Sequence, residues 1–128
     1  MAVYLKQGEG RCPKDATRVT TISLSSSEIS RIKKLYGAHA NITEQLISEV
    51  VDTVVGKLPN AIQLIDYFVS VPKSKIITHV TDYITGNVRN ISADIASKNK
   101  TTDFKCTITC VNHGQQGHYW TISRFHSV

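Results

Sequence analysis

Two cysteines, three histidines and the single tryptophan crowd into the stretch FKCTITCVNHGQQGHYWTISRFH, from Phe104 to His126. Thiolate and imidazole are the residue types that bind zinc, and Cys106, Cys110, His113 and His118 follow the spacing C-x3-C-x2-H-x4-H. The alternation of the same stretch argues against a metal. In a strand, residues four apart lie roughly 13 Å from each other along one face, too far for two sulfurs to share a tetrahedral ion. The sequence therefore predicts no metal centre and no cofactor.

Acid–base chemistry is the second option. His113 and His118 flank the Gly-Gln-Gln-Gly turn, with His126, Lys105 and Arg124 nearby. Two imidazoles beside a cation could cleave an RNA phosphodiester, one taking the 2′-hydroxyl proton and the other protonating the leaving oxygen. No carboxylate in the stretch orients either ring, so His113 and His118 are weak catalytic candidates. Solvated turn histidines are the simpler reading. Cys110 as a nucleophile has His113 and His118 close in sequence, but it sits mid-strand, away from a helix N-terminus that would lower its pKa. The chain carries no phosphate-binding loop, dinucleotide fingerprint, HExxH or GxSxG motif, so its weight is against an enzyme.

The cysteines pose a redox question. Cys12, Cys106 and Cys110 are odd in number, which excludes a fully paired framework within one chain. The strand spacing that defeats zinc also defeats a Cys106–Cys110 bridge. Cys12 with Cys106 or Cys110 is the pairing the sequence allows, stapling the N-terminal segment to the C-terminal hairpin. Such a bridge implies an oxidising, secreted location; cytoplasmic is the alternative. The start, MAVYLKQGEG, has no apolar core of a signal peptide. Asn41, Asn90 and Asn99 match the glycosylation sequon, and we read them first as helix-capping chemistry.

The elements that must position these groups follow from periodicity. Residues 1–16 are polar, with Gly8, Gly10 and Pro13, and read as an arm or loop. Residues 17–24 alternate as a strand. Ser25 and Glu28 form a capping box ahead of a short helix bearing Ile29, Ile32, Leu35 and Tyr36, which Gly37 ends. Ile42, Leu46, Val50, Val54 and Leu58 recur every four residues in a second helix, with Asn41 as cap and Pro59 as stop. Asn60 opens a third, nearly all-apolar helix through Ile62, Leu64, Ile65, Phe68, Val69 and Val71, ending at Pro72. A fourth runs from Ser74 to Ser97 through Gly86. Residues 103–127 form a β-hairpin around His113 to His118. In it Trp120 and Ile122 turn inward, leaving Tyr119 outside with His113 and His118.

The expected fold is α+β in a single domain of 128 residues: the N-terminal strand joins the C-terminal hairpin in a small antiparallel sheet, packed against a helical middle, 25–97, of about four helices. The net charge of +5 favours anionic partners. The second and third helices would present one continuous apolar surface (Leu58, Ile62, Ile65, Phe68, Val69) flanked by Lys57, Lys73 and Lys75. That is a physical route to an anionic membrane. The leading expectation is a small, basic, secreted, toxin-like or antimicrobial protein acting on membranes or another cell-surface target. The alternatives are a ribonuclease-like or RNA-binding protein using the histidine-bearing hairpin, and a non-enzymatic interaction module whose partner is a protein, such as an immunity protein.

Overall fold

The computed structural model describes residues 17–37, 42–64, 69–112 and 118–128, without the side chains of residues 63, 64, 69, 70 and 112. Ten elements follow one another: β1 (Thr17–Leu24), α1 (Ser26–Tyr36), α2 (Glu44–Lys57), β2 (Ala61–Leu64), β3 (Val69–Pro72), a 3-10 turn (Lys73–Lys75), α3 (Ile77–Gly86), α4 (Val88–Ala96), β4 (Thr102–Asn112) and β5 (His118–Ser127). The fold is α+β. Its three-stranded antiparallel sheet has the order β1-β4-β5, so the N-terminal strand joins the C-terminal hairpin along β4.

Alternation decides which side of this sheet is covered. Ile22 and Leu24 from β1, Phe104, Cys106 and Ile108 from β4, and Trp120 and Ile122 from β5 are all buried. They meet Ile29 and Ile32 of α1, Leu46, Val50 and Val54 of α2, Val80 and Ile84 of α3, and Val88, Ile91 and Ile95 of α4 in one core. The four-residue repeat of α2 is thus its core stripe, the arrangement that removes one helix face from water.

Local capping explains the helix limits. The Ser25 hydroxyl accepts the Glu28 amide at 3.2 Å, and the Glu28 carboxylate accepts the Ser25 amide at 2.9 Å. Such a reciprocal box contributes about 1 kcal/mol. Burial disfavours the charged Glu28 carboxylate, but the Ser25 amide and the Lys57 ammonium outweigh it and lower the pKa. Gly37 closes α1 at φ +65°, a conformation glycine adopts without a Cβ penalty. Thr43, whose hydroxyl accepts the Leu46 amide at 3.1 Å, caps α2; Asn41, the expected cap, lies outside the described residues.

The third helix is replaced by a hairpin. Ala61–Leu64 and Val69–Pro72 pair antiparallel, placing Ile62 opposite Val71, both buried. The Asn60 carbonyl, instead of opening a helix, accepts the Lys73 amide at 2.7 Å and closes the open end of the pair. The segment is rich in β-branched and aromatic residues and is bracketed by Pro59 and Pro72. A run this short has no periodicity that separates helix from strand.

The single long helix expected over Ser74–Ser97 is also divided. Gly86 is not the strained position, since a Cβ there would meet nothing within 4 Å. The break comes at Asn87, whose side-chain amide donates to the Tyr83 carbonyl at 2.8 Å, beside its own backbone N–H at 3.0 Å. That hydrogen bonding ends α3 at Gly86, and α4 starts at Val88. The last strand is tied to α4 by Asp94, which accepts the Ser127 amide at 2.9 Å and the Ser127 hydroxyl at 3.1 Å.

Candidate functional site

The reactive hairpin residues separate onto different surfaces. Paired residues on neighbouring strands share a face, and Cys106 opposes Phe125 while Cys110 opposes Trp120, both on the helix-covered side. Cys106 is fully buried and is a free thiol. Cys110, one step nearer the turn and half-buried, is disulfide-bonded. Cys12 falls outside the described residues. Of the two candidates for a bridge, Cys106 is therefore the one left reduced.

Burial pushes the Cys106 thiol from 9.0 up to about 12, because a thiolate among Ile and Phe side chains loses its hydration. Between pH 9 and 12 the unfolded thiol ionises while the folded one stays protonated, so stability is present below pH 9 and lost across that window. Tyr83, raised by burial and then by Cys106, works in the same direction above pH 10. An alkaline denaturation series is expected to show unfolding free energy falling by up to about 1.4 kcal/mol per pH unit from Cys106 above pH 9, and more steeply above pH 10 where Tyr83 joins it. Replacing Cys106 by Ala should flatten that slope, whatever the variant costs in packing at neutral pH. An unchanged slope would contradict the assignment.

His118 is not a solvated turn residue. It lies on the side of β5 that bears Trp120 and Ile122 and is only 3% exposed. His126 ends on the opposite side of the sheet. A bulge causes this: Ile108 opposes Ile122, but Thr107 opposes Arg124, so Ser123 is an extra residue and the alternation of β5 reverses after it. The second half then points Phe125 inward, stacked at 5.3 Å on Phe104, and turns Arg124 and His126 outward. His113 lies outside the described residues. His118 and His126 thus lie on opposite sides of the sheet, and among the described residues no group of three or more His, Cys, Asp or Glu side chains could hold a metal.

The residues expected to touch a membrane are also dispersed. Leu58 and Ile62 belong to the core at 4% and 3% exposure. Lys57 pairs with Glu28 at 3.1 Å and Lys73 donates to the Leu58 carbonyl at 3.2 Å, while Lys75 is exposed. Ile65 and Phe68, with the side chain of Val69, are outside the described residues. No described helix is long and apolar enough to cross a membrane, and of the two helices expected to insert, the first is α2 while the second is replaced by the β2–β3 pair.

The registers assemble a different surface on the side of the sheet away from the helices. Its rows read Thr21–Lys105–His126, then Val19–Thr107–Arg124, then Thr17–Thr109–Thr121, with Val111–Tyr119 beyond. Lys105 and Arg124 are exposed, stand diagonally on adjacent strands, and form no salt bridge with a described residue. Diagonal neighbours of this kind are roughly 7–8 Å apart at Cα. The nearest acid on the face, Asp103, is at its end and is hydrogen-bonded by the Ser23 hydroxyl. Two exposed cations without a salt bridge to a described residue, a histidine, a row of hydroxyls and a tyrosine form a surface suited to phosphate oxygens and stacked rings.

At the β5 edge, α3 reaches round to this face. The His79 ring stacks on Tyr119 with centroids 4.1 Å apart and planes at 27°, and the Thr121 hydroxyl donates to the His79 carbonyl at 3.1 Å. His79, Asp82, Tyr83, Tyr119, Thr121 and Ile122 line a cleft of about 320 Å³ there. The sequence reading missed His79 and Asp82. Their spacing with Tyr83, three and four residues apart on a predicted helix, was the available signal: one turn places all three on a common side.

Comparison with protein-family models, with curated proteins and with solved structures finds no match for the chain.

Proposed function

We propose that this protein is a small, basic, secreted, non-enzymatic module that binds single-stranded nucleic acid on the helix-free face of its sheet. The observation that carries the reading is Lys105 and Arg124, exposed and diagonal to each other on β4 and β5, without a salt bridge to a described residue, and flanked by His126, threonine hydroxyls and Tyr119. Cations without internal partners lose little structure when a phosphate displaces their water, and gain counterion release. The dispersal of His118 and His126 onto opposite sides of the sheet favours binding over hydrolysis. The disulfide of Cys110 supports the secreted location, and Cys12 is the one other cysteine of the chain that can complete it.

A second reading keeps the toxin-like action on an anionic membrane but moves the contact from the helices to this same face. Val19, 52% exposed on β1 in the row of Thr107 and Arg124, favours it. Titrating the chain against a fluorescent single-stranded RNA, and separately against vesicles with and without anionic lipid, separates the two. Saturable RNA binding that weakens with salt, without vesicle binding at physiological salt, is expected. Vesicle binding without RNA binding would transfer the proposal to the membrane.

A further inference from the structure

We infer that the cleft between α3 and β5 is a base-selective subsite that accepts guanine from the bound strand; this deepens, and rests on, the nucleic-acid reading. Its composition differs from that of the cationic face beside it. The cleft combines an aromatic stack, His79 on Tyr119, with one carboxylate, Asp82, one further phenol, Tyr83, and the apolar wall of Ile122. A phosphate would be repelled by Asp82, so the part of a nucleotide that belongs here is its base. At about 320 Å³ the space is at the lower end of small-ligand sites.

Asp82 then selects among the bases. A carboxylate is an acceptor with two oxygens side by side. Guanine presents two adjacent donors on its pairing edge, N1–H and the N2 amino group, and meets both oxygens. Adenine and cytosine each place a ring-nitrogen lone pair next to their amino group, and uracil flanks its one N–H with two carbonyls, so each brings a lone pair against the carboxylate. A lone pair held against the carboxylate costs more than a contact left unmade. Tyr83, half-buried, adds its ring to the wall of the cleft. Thr121 and Tyr119 share the outward rows of β5 with Arg124, one and two rows away, roughly 7 and 13 Å along the strand. A chain held by its phosphates at Lys105 and Arg124 thus delivers the next base to the cleft.

The experiment compares four labelled pentaribonucleotides, uridines with G, A, C or U at the centre, by fluorescence anisotropy with the full chain. The guanine probe is expected to bind at least about tenfold tighter than the other three. Asp82→Asn should abolish the difference between the four probes, weakening the guanine probe and relieving the other three, while the salt dependence and the far-UV circular dichroism stay unchanged. Tyr119→Leu should weaken all four several-fold by removing the stack. Equal affinity for all four probes, or a guanine preference that survives Asp82→Asn, would overturn the inference and leave the nucleic-acid reading standing. If none of the four binds, both fail.

Discussion

Exchanging Lys105 and Arg124 together for glutamate is expected to weaken single-stranded RNA binding by about 100-fold at low salt. Each cation neutralising a phosphate on a single strand contributes about 0.7 to the slope of log affinity against log salt, so the double variant should also flatten that slope by about 1.4. The fold should be untouched. Both side chains are exposed and neither is in a salt bridge with a described residue, so their removal breaks nothing inside. Surface substitutions of this kind stay within about 0.5 kcal/mol. An equal exchange on the helical side, Lys33 and Lys34 to glutamate, controls for net charge. If it weakens binding as much, the effect belongs to overall charge and the sheet face is not the site.

The second large effect concerns Cys110. Under denaturing conditions without reductant the chain is expected to show one reactive thiol, Cys106, and three after reduction. Cys110→Ser should lower stability by about 3–5 kcal/mol, because the proposed bridge from Cys110 to Cys12 would close a loop of roughly 100 residues and so constrain the unfolded chain strongly. Losing that much from a domain of this size removes a large part of its margin. Three reactive thiols before reduction would remove the bridge, and the secreted location with it.

Much of the architecture is legible in the residues because short-range rules act without competition there. β1 alternates, Ser25 and Glu28 announce a capping box that is present, and Leu46, Val50 and Val54 mark a stripe that becomes core. The stretch after Pro59 is different. An apolar run of this length satisfies helix and strand patterns alike, and the pairing of Ile62 with Val71 settles it through a tertiary contact that no local rule contains. The hairpin carried more information than alternation alone extracts. If the alternation of Trp120 and Ile122 ran on, Arg124 would be forced into the core and Phe125 out of it. The reversal from Ile122 to Phe125 is thus a sequence signal for the bulge at Ser123. It also puts His118 with Trp120 inside, and Arg124 with His126 outside.

The candidate site itself was less legible. Lys105 and Arg124 are far apart in the chain and meet only through the register of β4 on β5, while His79 and Tyr119 meet only because α3 reaches the β5 edge. Sequence proximity pointed to His113 and His118 at the turn; strand pairing moves the functional claim along β5, away from both.

The central claim is that nucleic acid lies on the helix-free face of the sheet. The most direct test is a two-dimensional amide NMR titration of the isotope-labelled chain with a short single-stranded RNA. The account predicts that the amides of Lys105, Thr107, Tyr119, Thr121, Arg124 and His126 shift together and saturate, while those of α1 and α2 stay in place. Shifts confined to α1 and α2, or a spectrum unchanged at millimolar RNA, would contradict it.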